Sequence, residues 1–69
     1  MIPYTLNTRV KTSSAPLGPQ DWASDVPLNR WFNATGKIVK VHNSHGLCYA
    51  VEHDNGGIGY YNHEELTPV

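Results

Sequence analysis

The sequence lacks most of the devices that staple or arm a small protein. Its 69 residues contain one cysteine, Cys48, so no intrachain disulfide can form and the cysteine-dense secreted scaffolds are excluded. A lone thiol fits a reducing compartment, and a cytoplasmic location is expected. Charged residues make up 16% of the chain and the formal net charge is -1. No run of one sign provides a field to steer a polyanion, so nucleic acid is not expected as a partner. No apolar run approaches the roughly 18 residues of a membrane span, so no membrane is expected either. Met1-Ile2-Pro3-Tyr4 has neither a basic start nor an apolar core and is not expected to act as a signal peptide. Without such a signal, Asn33-Ala34-Thr35 reads as a chance match to a glycosylation acceptor.

Other absences concern chemistry. Gly56-Gly57 and Gly59 are spaced for a hairpin rather than a strand-to-helix turn, so no phosphate-binding loop is present. Four histidines are many for this length, yet His42, His45, His53 and His63 are scattered over turns. Zinc needs three or four ligands converging on one tetrahedron, and Cys48 has no Cys-x-x-Cys partner. The expectation is no metal, no cofactor and four solvated histidines. Cys48 stands in mid-strand, where a cysteine serves as a small packing residue rather than a nucleophile. Asp54, Glu64 and Glu65 stand in turns, where carboxylates are simply soluble, so no catalytic residue is assigned.

What is present is a set of short strands and turn formers. Thr8–Thr12 alternates and is rich in β-formers. Ser13–Asn33 has no sustained period and is broken by Pro16, Gly18-Pro19 and Pro27, with a helical turn conceivable at Gln20–Ser24. A structureless stretch this long needs a task, and Trp22, Trp31 and Phe32 offer to tie it down. Gly36–His42 is the clearest strand. Asn43–Gly46 forms a turn, and Leu47–His53 a half-buried strand. Asp54-Asn55-Gly56-Gly57 is a hairpin turn, in which glycine accepts positive φ. Ile58–Tyr61 follows, then a tight turn over Asn62–Leu66 capped by Asn62, and a last edge at Thr67–Val69, where Pro68 is tolerated. So few strands must curl to bury their apolar set. The fold expected is all-β: one domain over residues 1–69, a small barrel of about five antiparallel strands with one long irregular loop after the first. The pattern assigns Val10, Val39, Val41, Tyr49, Val51, Ile58, Tyr60 and Leu66 to the core. Ile38 beside Val39 gives that strand an apolar residue on both faces.

Gly36-Lys37-Ile38-Val39, Tyr49-Ala50-Val51-Glu52, the Asp-x-Gly-Gly turn and Glu65-Leu66 resemble the C-terminal half of bacterial SH3-like barrels. Among these the plasmid-borne type II dihydrofolate reductase family is the nearest in pattern. The resemblance covers about half the chain and its motifs are structural. It implies an SH3-like barrel, assembly around a shared symmetric pore, and a bacterial origin on mobile (integron) gene cassettes, where small barrels are common. The family's pore strand reads Val-Gln-Ile-Tyr, its glutamine and tyrosine lining the ligand site. Here the strand reads Ile58-Gly59-Tyr60-Tyr61: Tyr61 matches, and Gly59 offers only backbone.

A chain of this size buries only about 60% of its unfolded surface, so a homo-oligomer, tetramer or dimer, is expected. Trp22, Trp31, Tyr60 and Tyr61 are the candidate ligand-binding residues, because SH3-like barrels take peptides between aromatics of a long loop and neighbouring strands. The same rings would serve equally to plug the barrel's open side. The function expected is a non-enzymatic binding or assembly module that takes a small ligand or a peptide. The alternative is a small-molecule enzyme or binder with a symmetric pore site.

Overall fold

A computed structural model describes residues 2–18, 29–43 and 47–69. Trp22, the turn conceived at Gln20–Ser24 and most of the Asn43–Gly46 turn, with His45 and Gly46, lie outside the described residues. The architecture is all-β, as the pattern predicts. Strands β1 (Arg9–Thr12), β2 (Thr35–His42), β3 (Cys48–His53), β4 (Ile58–Asn62) and β5 (Leu66–Pro68) form one open antiparallel sheet in the order β4-β3-β2-β1-β5. A 3₁₀ turn, His63–Glu65, links β4 to β5.

The long excursion after β1 starts and ends at one place. The Thr12 amide donates to the Ala34 carbonyl at 2.9 Å, and the Ala34 amide returns a bond to Thr12 Oγ1 at 3.0 Å. The next residues out repeat the link, Asn33 N–H donating to the Ser13 carbonyl at 3.0 Å. The loop is therefore closed at its neck by continuation of the β1–β2 ladder, and Thr12 is buried with its hydroxyl satisfied.

One side of the sheet carries the core: Val10, Ile38, Tyr49, Val51, Tyr61 and Leu66, with Tyr4 and Leu47 packed against it. Burying each of these side chains stabilises the fold by about 2 kcal/mol. Four residues that the hydrophobic pattern assigns to the core are not in it. Val39 and Tyr60 are half-buried, while Val41 and Ile58 are 39% and 45% exposed. In their place stand Ile38 and Tyr61, both at 0%.

Two backbone irregularities cause the exchange. In β2, Ile38 pairs with Val51 but Lys40 pairs with Ala50, so Val39 is an inserted residue without its own partner. A bulge of this kind breaks the strict alternation that a pattern reading assumes. At the β3–β4 hairpin, the His53 amide donates to Gly57 and the Gly56 amide donates to His53. The loop is then Asp54, Asn55 and Gly56, with Gly56 at φ +88°, the known geometry for a short hairpin loop ending in a left-handed residue. This turn fixes Tyr49 opposite Tyr61 and Val51 opposite Gly59. Tyr61 thus turns to the core, and Ile58 and Tyr60 turn away.

The same hairpin corrects the expectation for Gly57, which does not have positive φ. Gly57 is needed for space: a Cβ there would stand 2.5 Å from the Trp31 ring. Gly57→Val is expected to displace Trp31 and lower stability by about 1–3 kcal/mol, read as a fall in the urea midpoint with unchanged slope.

Candidate functional site

The loop returns to the sheet through Arg30, Trp31 and Phe32, and all three meet Tyr61. The Arg30 guanidinium lies over the Tyr61 ring at 5.3 Å and over the Phe32 ring at 5.1 Å. Phe32 meets Tyr61 edge-on, with centroids 6.4 Å apart. The Trp31 amide donates to the Tyr61 hydroxyl at 2.8 Å, and that hydroxyl lies 3.0 Å from the Trp31 carbonyl. The third partner is His53 Nε2 at 2.6 Å.

This hydroxyl is fully used. A phenol has one hydrogen and accepts at its lone pairs. His53 Nδ1 lies 3.2 Å from the Thr35 carbonyl, which can only accept. Nδ1 is therefore the donor in that contact, and the single Tyr61 hydrogen serves either the Trp31 carbonyl or His53 Nε2. Burial pushes the Tyr61 phenol above its ordinary pKa, against the opposing pull of the Trp31 backbone bond. Gly59 makes room for the arrangement, because a Cβ at this position would come within 2.6 Å of the Tyr61 hydroxyl and 2.9 Å of the Asn29 carbonyl.

Beneath this layer sits Glu65, at 1% exposure. It was expected to be a solvated turn carboxylate, and the structure buries it because three segments bring donors to it. Its Oε1 accepts from the Asn62 amide at 2.7 Å, the bond that starts the 3₁₀ turn. Its Oε2 accepts from the Leu17 amide at 3.0 Å and is ion-paired with Arg30. Asn62 starts the turn, as its sequence position predicts, and its side-chain amide also donates to the Leu17 carbonyl at 3.0 Å. The Asn-x-x-Glu spacing at 62–65 was the available signal for this burial.

A second histidine–tyrosine pair lies elsewhere. Tyr49 hydroxyl is 2.8 Å from His63 Nδ1 and accepts from the Tyr4 amide at 3.0 Å. The Tyr4 ring stacks on His63 at 4.4 Å. Burial raises the Tyr49 pKa as it does that of Tyr61. His53 and His63 are thus structural partners of buried phenols, where solvated turn residues were expected, while His42 is exposed. Cys48 is half-buried, and burial pushes its thiol pKa up, which favours the protonated form.

The structure divides the candidate aromatics. Trp31 and Tyr61 come together, Tyr61 in the core and Trp31 half-buried against His53 at 5.1 Å. Tyr60 stands on the opposite face of β4, and Trp22 lies outside the described residues. Beside Trp31, an open groove is lined by Lys11, Asn33, Thr35, His53, Asp54 and Asn55. Asp54 is already engaged there: Arg9 donates to both its oxygens at 2.9 and 3.2 Å, and Thr35 Oγ1 donates at 2.6 Å. These bonds hold its pKa down to about 2. Among the described residues no group of three metal-ligating side chains converges. Comparison with protein-family models, with curated proteins and with solved structures finds no match for this chain.

Glu65→Gln should lose about 3–5 kcal/mol, because it removes the charge of a buried acceptor on which the Arg30, Leu17 and Asn62 donors converge; chemical denaturation measures the loss. Asp54 gives a pH dependence of definite sign. Its folded-state pKa lies below the unfolded value of about 3.9, so its contribution is present above that pH and is lost as pH falls towards 2. The melting temperature should therefore drop more steeply between about pH 4 and pH 2 in the parent chain than in Asp54→Asn.

Proposed function

We propose that the chain is a small SH3-like barrel acting as a non-enzymatic binding and assembly module, with copies associating and the Trp31 end of the loop offering a site for a small ligand or peptide. One observation carries the reading. Glu65 is buried against Arg30, and the Tyr61 hydroxyl is taken up by Trp31 and His53, so neither the carboxylate nor the phenol is presented to a substrate. Half-buried Trp31 packs on His53, which lines an open groove with Lys11, Asn33, Thr35, Asp54 and Asn55, a mixed polar surface suited to recognition. The β-strand order, with β1 between β2 and β5 and a 3₁₀ turn before β5, supports the barrel.

The alternative, a symmetric pore enzyme of the type II dihydrofolate reductase kind, has less support. Its glutamine position is Gly59, where even a Cβ collides with Tyr61 and the loop. The matching Tyr61 has its hydroxyl committed to Trp31 and His53.

Association follows from size: one small core, no disulfide and exposed Ile58 and Val41 on the strands. Sedimentation equilibrium from 1 to about 100 μM is expected to give a mass above the 7.7 kDa monomer, with a melting temperature that rises with concentration. A monomer mass throughout, with a melting temperature indifferent to dilution, would contradict the assembly half of the proposal.

A further inference from the structure

The chain has five lysines and arginines in all. Arg30 is turned inward to Glu65. The other four, Arg9, Lys11, Lys37 and Lys40, stand exposed on β1 and β2. Register places them together on the face opposite the core. On β3 the core residues are Tyr49 and Val51, so Ala50 and Glu52 point the other way. Lys40 pairs with Ala50, and Lys37 pairs with Glu52. Lys37 also stands directly across from Arg9, and Lys11 is two residues along from Arg9. Like charges directly opposed across strands are destabilising. Asp54 answers Arg9, whereas Lys11, Lys37 and Lys40 form no ion pair among the described residues.

The same face carries an aromatic pair. Tyr60 pairs with Ala50, so Lys40, Ala50 and Tyr60 lie in one row across β2, β3 and β4. The Tyr60 ring is 5.8 Å from His42, inclined at 34°. Lys40 and Tyr60 are two strand spacings apart, about 10 Å. Cations along one side of an open sheet and half-exposed rings along the other match the two needs of an unpaired nucleic-acid strand, phosphate neutralisation and base stacking. A duplex keeps its base faces inside its own stack, and an acidic peptide has no use for the ring pair.

We propose that this outward face binds a single-stranded polynucleotide, with phosphates at Lys11, Lys37 and Lys40 and bases on Tyr60 and His42. The net charge of -1 averages over the molecule, whereas this face gathers four cations against Glu52 and the Arg9-paired Asp54. Lys11 also lines the groove beside Trp31, so the test is read at Lys37, Lys40, His42 and Tyr60, which do not.

The test is fluorescence anisotropy with a fluorescein-labelled oligothymidylate of about 12 nucleotides, titrated at several salt concentrations. Three engaged phosphates predict a slope of log affinity against log salt near about -2. Lys37→Glu combined with Lys40→Glu should weaken binding at least about tenfold and flatten the slope, and Tyr60→Ala should weaken it about fivefold or more. Circular dichroism checks that each variant is folded. Should a variant unfold, amide shifts of the unaltered protein with the same oligonucleotide decide, with changes expected at 37–42 and 58–62. The proposal is overturned by no saturable signal at low salt, by affinity unchanged in the folded double variant, by shifts confined to the Trp31 loop, or by polyglutamate competing as well as the oligonucleotide.

Discussion

A carboxylate with almost no contact with water governs this structure. Glu65 is buried and reached from three directions, by Asn62 three residues earlier in the last turn, by Leu17 at the outgoing arm of the long loop and by Arg30 at the returning arm. An ion taken out of water costs several kcal/mol unless its lone pairs are answered, so the donors must be held in place for the fold to stand. Arg30, once paired with Glu65, sets the next two residues against Tyr61, and Tyr61 then closes on His53. Core, loop and hairpin are joined through one network.

That network bears on function by subtraction and by placement. It occupies Glu65 and the Tyr61 hydroxyl and leaves two different surfaces. One is the edge where Trp31 meets Gly57 and His53. The other is the outward face of the sheet, to which all the remaining cations are directed. A small domain with a single core has few residues to spare, and here the inward face is occupied by packing and polar satisfaction.

Much of the fold was legible because its punctuation is local. Asn-Gly at 55–56, Asn62 before the 3₁₀ turn, Pro68 on the last strand and the prolines of the loop each act over a few residues. Val10, Tyr49, Val51 and Leu66 were legible as core because their strands alternate cleanly. The faces of β2 and β4 were not, since apolar residues occupy both parities and the choice rests on a bulge at Val39 and on which glycine takes positive φ. Had the loop been read as Asp54–Gly56, pairing would have placed Tyr61 opposite Tyr49 and excluded Ile58 and Tyr60 from the core. Of the site, Trp31 and Tyr61 were identified but not their meeting. Arg30, Glu65 and His53 were missed because burial of a charge or an imidazole depends on partners distant in sequence, of which only the 62–65 spacing gave a sign.

The most direct measurement is native-state hydrogen exchange at the Leu17 and Asn62 amides, the two backbone donors to Glu65. If the buried carboxylate clamps the loop, both exchange as slowly as the core amides of β3, near the global unfolding limit, even though Leu17 lies in an irregular segment. Exchange of Leu17 at the rate of an open loop, while β3 remains protected, would show that the clamp is not what holds this structure together.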